Sequence, residues 1–111
     1  MSRDRTYQFI GYQYIERNTY WGNGTANTPH DIHPNTYNEW TSNAPKAIRL
    51  VEDNTNKKIA EYILKFTITE SGHTIAFANE IKWRNNDVPT WTNGKTYEVS
   101  IINGLATYGE F

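Results

Sequence analysis

After residue 47 the chain alternates hydrophobic and polar positions with a period of two. In residues 59–69 one parity holds Ala60, Tyr62, Leu64, Phe66 and Ile68, and the other Ile59, Glu61, Ile63, Lys65, Thr67 and Thr69. An alternation this long predicts a strand. The rival reading, a helix over 58–66, is disfavoured by the β-branched run Thr67-Ile68-Thr69 that follows. Residues 70–73 (Glu-Ser-Gly-His) turn the chain. Ile75, Phe77, Asn79, Ile81 and Trp83 then alternate with polar or small residues, a second strand with Asn79 as the odd member of its apolar face. Thr96–Ile102 alternates again, Asn103-Gly104 is the pair favoured in two-residue type I′ hairpins, and residues 105–111 return as a final strand. Residues 47–52 are a shorter candidate strand, followed by a turn at 53–56.

Upstream the pattern is weaker. Residues 6–15 are rich in aromatic and β-branched positions and read as a strand, with a bulge at Gly11. Residues 16–46 carry Asn23-Gly24, three prolines and four scattered aromatics without clear periodicity, so they read as a long loop region or as short strands that periodicity does not place. The expected fold is therefore all-β: a small antiparallel β-sandwich, or jelly-roll-like domain, joined by short turns. Residues 1–46 supply an N-terminal strand and an irregular docking or loop region. Residues 47–111 form the sandwich core, and the two parts make one domain. A core this thin is doubtful for an isolated monomer, so a homotrimer is expected to add burial.

Composition narrows the function classes. The 111 residues include 13 Asn and 14 Thr, about a quarter of the chain, and both types are poor in helix interiors. A net charge of −1 argues against a nucleic-acid binder held by a basic face. The absence of cysteine excludes disulfides, thiolate metal sites and a cysteine nucleophile. The charged start Met1–Arg5 is followed by no apolar run of signal-peptide type, and no stretch is long and apolar enough for a membrane helix. The expectation is a soluble protein made in the cytoplasm without a cleaved signal, with no membrane and no nucleic-acid partner.

Little in the sequence resembles catalytic machinery. His30 and His33, with Asp31 between them, are weak candidates for a divalent metal, but Pro29 and Pro34 bracket them and no further ligand lies nearby. Ordinary loop histidines are the better reading, and neither a metal nor any other cofactor is expected. Glu61, Glu80 and Glu98 fall on the polar parity near Lys65 and Lys82, where cross-strand charge pairing explains them better than paired-carboxylate hydrolysis. Arg3, Arg5 and Arg17 lie beside Asp4 and Glu16 and read as a solvated terminus. Tyr20, Trp21, Tyr37 and Trp40 stand among Asn, Thr and Gly. Such rings either fill the core, bury area at a partner interface or stack on sugars, so these four are the candidate glycan- or partner-binding residues. Trp83 is expected in the core, and Trp91 as a plug on the sandwich end.

The last thirty or so residues carry a resemblance. Ile81-Lys82-Trp83, then Pro89-Thr90-Trp91, Gly94-Lys95-Thr96-Tyr97-Glu98-Val99-Ser100-Ile101, Asn103-Gly104-Leu105 and the terminal Phe111 resemble the C-terminal ending of phage and prophage virion fibre proteins. The resemblance covers a quarter to a third of the chain. It implies a β-sandwich knob that assembles as a trimer on head fibres or tail fibres, with other virion proteins of capsid or fibre as partners. It brings no catalytic residues. Those relatives often carry a long N-terminal shaft, and residues 1–46 show no heptad or triple-helical repeat, which favours a head fibre or capsid decoration protein. The expected function is thus a non-enzymatic structural protein of a bacteriophage virion, with weak adhesion to host surface polysaccharide. The alternatives are a tail-associated receptor-binding domain and a free carbohydrate-binding module.

Overall fold

The computed structural model describes residues 16–21, 24–25, 27–52 and 60–111. Among them lie nine strands: β1 Glu16–Tyr20, β2 His30–Ile32, β3 Thr36–Trp40, β4 Ala47–Leu50, β5 Glu61–Thr67, β6 Ala76–Phe77, β7 Lys82–Trp83, β8 Thr96–Ile102 and β9 Leu105–Glu110. They form a six-stranded sheet in the order β1-β3-β5-β8-β9-β7 and a three-stranded sheet in the order β2-β4-β6. The all-β, two-sheet class is as the alternation predicts. The predicted strand at 6–15, the turn at 53–56 and the terminal arginines Arg3 and Arg5 lie outside the described residues.

Strand direction departs from the expected antiparallel, jelly-roll-like plan. From β1 to β7 the chain crosses between the two sheets at every step. Each strand therefore lies parallel to the one two places earlier: β1 with β3, β3 with β5, β2 with β4 and β4 with β6. Parallel neighbours need a crossover, and here each crossover contains a strand of the opposite sheet. Among the described strands only β5–β8 and β8–β9 are antiparallel, and β7 then pairs parallel to β9. The physical reason for the difference is that alternation assigns faces but names no partner. The strand expected over 75–83 is accordingly split. Ala76–Phe77 joins the small sheet, Lys82–Trp83 the large one, and the chain crosses between them at 78–81. Residues 16–46, irregular by periodicity, hold the three short strands β1, β2 and β3.

The core lies between the sheets. Ile32, Ile48 and Leu50 enter from the small sheet, and Trp40, Tyr62, Leu64, Phe66, Tyr97, Val99, Ile101 and Ala106 from the large one. Asparagine does much of the joining. Asn38 is fully buried. Its amide donates to the carbonyl of Ile63 at 3.1 Å and to Thr36 Oγ1 at 2.9 Å, and its Oδ1 accepts from Tyr20 Oη at 3.1 Å. Asn18, its register partner on β1, donates to the same oxygen at 3.3 Å. Asn79 accepts from Leu50 N at 2.7 Å and donates to Leu50 O at 3.0 Å, so its side chain continues the small sheet as a further strand would. At the corner between β2 and β3, Asn35 adopts a left-handed φ of 60° and its Oδ1 accepts from Glu61 N at 3.1 Å. Asn103-Gly104 turns β8 into β9 with φ of 51° and 80°, the two positive values that a type I′ turn requires.

Candidate functional site

The inward-facing rings form one continuous series across the core. Tyr20 and Trp40 are register partners on β1 and β3, so their rings stack at 4.8 Å. Trp40 meets Phe66 edge-on at 6.3 Å, Phe66 meets Trp91 at 5.4 Å, and Trp91 meets Tyr97 at 5.0 Å and Trp83 at 6.1 Å. Trp83 continues to Phe77 and Tyr108. These are the offset and edge-to-face geometries that aromatic quadrupoles favour. Trp83 and Trp91 pack against the core as their positions in the sequence predict.

The four aromatic candidates are not brought to one surface. Trp40 is buried and Tyr20 half-buried in the ring series. Trp21, on the opposite parity to Tyr20, stands 74% exposed. Tyr37 lies on the outer face of the large sheet, where its hydroxyl donates to Glu98 Oε2 at 3.0 Å and the Arg17 guanidinium sits 5.9 Å from its ring centre. Partial burial, reinforced by the Glu98 and Glu39 carboxylates, pushes the Tyr37 phenol up to about 12.

The histidine candidates also separate. β2 is extended, so His30 turns inward against the rings of Tyr20 and Trp40 at 5.2 and 5.5 Å, while His33 lies exposed beyond the strand. Asp31 between them accepts two bonds from Arg49, its register partner, at 2.9 and 2.7 Å. That contact holds the Asp31 carboxyl below its ordinary range. Among the described residues no group of three or more His, Asp or Glu side chains is placed to hold a metal. The carboxylates considered for hydrolysis are engaged or apart: Glu61 accepts from Ser100 at 3.2 Å, Glu98 from Tyr37, and Glu80 is exposed.

At the far end of the ring series lies a site that the hydrophobic periodicity does not mark. Trp83 leads into a kinked turn over Arg84–Asn86. Asn85 and Asn86 both hold a φ of 57°, left-handed for side-chain-bearing residues. Backbone bonds from Asp87 N to Arg84 O (3.0 Å) and from Val88 N to Asn86 O (3.1 Å) fix the turn. It borders a cleft of about 110 Å³, lined by Arg84, Asn85, Asp87, Ala106, Thr107 and Tyr108. Tyr108 donates its hydroxyl to Asp87 Oδ1 at 3.3 Å. Its phenol is raised, first by loss of hydration and then by the Asp87 charge. The available signal was the polar run Arg84-Asn85-Asn86-Asp87 set between Trp83 and Trp91. Guanidinium, amide, carboxylate, hydroxyl and an aromatic wall meet in this cleft, so it can both donate and accept hydrogen bonds.

No protein-family model, curated protein or solved structure matches the chain.

Proposed function

We propose that the chain is a non-enzymatic structural protein of a bacteriophage virion, a head fibre or capsid decoration protein that assembles as a homotrimer and adheres weakly to surface glycans. The observation that carries the reading is the fold of the segment bearing the resemblance. Residues 81–111 form one stretch of the large sheet: β8 and β9 lie between β5 and β7, and Trp83 and Trp91 pack against Tyr97 and Tyr108. A stretch packed in this way suits a knob. Trimer formation around a closed axis would cover apolar side chains that one protomer leaves in solvent, among them Val88, Ile102, Leu105 and Phe111. The polar side chains described above are mostly spent on joining strands, which fits a structural role.

Two measurements test the reading. Light scattering at micromolar concentration is expected to give three times the protomer mass; a mass of 12.9 kDa would remove the trimer. Mass spectrometry of gradient-purified particles from the phage that encodes the chain is expected to find it in fixed proportion to the capsid protein. Its absence from particles would leave a free carbohydrate-binding module, the reading that the polar cleft beside Tyr108 favours next.

A further inference from the structure

We propose that the cleft at the 84–87 turn is the glycan site, and that it holds a neutral sugar by a pair of neighbouring ring hydroxyls. This rests on the adhesive part of the reading above and moves the site away from Trp21 and Tyr37 to the opposite end of the ring series.

Three observations carry it. The first is unspent hydrogen-bonding capacity. Of the arginines among the described residues, Arg17 is paired with Glu39 and Arg49 with Asp31, each at 2.7 Å. The Arg84 guanidinium has neither an ion pair nor a hydrogen bond among the described residues, although Asp87 lines the same cleft. Asp87 uses only Oδ1, toward Tyr108. A forked donor and a free carboxylate oxygen therefore face one small space without satisfying each other. The second is chemical match. Each hydroxyl of a vicinal diol both donates and accepts. Asp87 Oδ2 can accept from one while the Arg84 guanidinium and Asn85 amide donate to the other, and the Tyr108 ring supplies an apolar wall. The opposite charges of Arg84 and Asp87 cancel, which favours a neutral ligand over an anion or a cation. At about 110 Å³ the cleft suits the edge of one sugar ring and is well below the size of sites for drug-sized ligands. The third is backbone strain. Two successive asparagines held left-handed hold the turn in a sparsely populated conformation, a feature that clusters at binding sites.

The affinity of such a site is expected to be weak, and three copies on a trimer would raise it through avidity. The test is a titration of the full, isotope-labelled chain with free glucose, galactose, mannose and N-acetylglucosamine at millimolar concentrations, read by amide chemical shifts. At least one sugar is expected to move the resonances of residues 84–87 and 106–108. Arg84→Ala is expected to weaken that sugar about tenfold or more while leaving the unfolding midpoint unchanged, since among the described residues the Arg84 side chain bonds to no other group and its backbone bond to Asp87 N is kept. Asp87→Asn keeps an acceptor for Tyr108 and is expected to weaken the sugar by a smaller factor. Shifts confined to Trp21, or no sugar-dependent shift at all, would overturn the proposal. So would equal shifts with acetate, which would mark Arg84 as a simple anion contact. These outcomes are independent of particle incorporation: a chain found on virions that ignores all four sugars keeps its structural role and loses this site.

Discussion

The wound half of the molecule, β1 to β6, and the hairpin half, β8 and β9, solve strand pairing differently. In the wound half, partners are distant in sequence, from His30 with Ile48 to Ala47 with Ala76. In the hairpin half they meet across a two-residue turn. The inward positions differ as well. The wound half buries Thr36, Asn38 and His73 among its apolar residues, whereas the residues that the hairpin buries are Tyr97, Val99, Ile101 and Ala106. Asn18 and Asn38 are register partners on one face of β1 and β3, so their amides bond along the sheet, and a buried polar group finds its partner in the next turn of the chain. The hairpin has local hydrogen bonds already and relies on apolar packing.

The sharpest way to break this contrast is Asn38→Leu. It keeps the branched side-chain skeleton and deletes the amide, leaving Ile63 O and Tyr20 Oη without that partner. Urea unfolding is expected to show a loss of about 3 kcal/mol. In the hairpin half the corresponding test is Tyr97→Phe. Tyr97 Oη donates to Thr90 O at 3.0 Å and accepts from Thr92 N at 2.8 Å, at the rim of a ring that is otherwise fully buried. The expected loss is about 1–2 kcal/mol. A larger cost for Tyr97→Phe than for Asn38→Leu would reverse the comparison.

A third prediction concerns alkaline pH. With its folded value raised to about 12 from 10.0, the Tyr37 phenol ionises more easily in the unfolded chain. Its contribution to stability is complete below pH 10.0 and is lost as pH rises toward about 12. Ultraviolet titration is expected to lose a late-ionising tyrosine in Tyr37→Phe; an unchanged titration curve would remove the assignment. The smallest effect belongs to Arg49→Ala on the exposed face of the small sheet. The Asp31 carboxyl is depressed, so the pair contributes above the ordinary carboxylate range and fades as pH falls through the depressed one. The change in melting temperature is expected to be the least of the four and to vanish in high salt.

The same contrast explains what was legible in the sequence. Strands β5, β8 and β9, the Asn103-Gly104 turn and the core positions of Tyr62, Leu64, Phe66, Tyr97, Val99 and Ile101 follow from alternation and turn chemistry alone. Parallel winding left no such mark. The crossovers at 33–35 and 78–81 are short, and a corner made by Pro34 and a left-handed Asn35 looks in sequence like any polar loop. Asn79 looked like a flaw on an apolar face, and its role as a strand substitute for Leu50 is visible only when β4 and β6 are neighbours. Of the candidate site, the aromatic character was legible and its placement was not. Tyr20 and Trp40 share a parity that points inward, Trp21 and Tyr37 do not, and the Arg84–Asp87 turn carries no periodic signal.

The Asn103-Gly104 turn also sets an order of events. Closing a two-residue loop costs far less chain entropy than bringing Glu16 to Thr36 or Thr36 to Tyr62. Hairpin β8–β9 is therefore the natural nucleus. Strand β5 adds to it, and the earlier strands wind on in reverse, β3 and then β1. Ribosomes deliver the segments in the opposite sequence, so β3 emerges before its partner β5 and β5 before β8. Pulsed hydrogen exchange on the refolding chain is expected to find protection in β8 and β9 first and in β1 last.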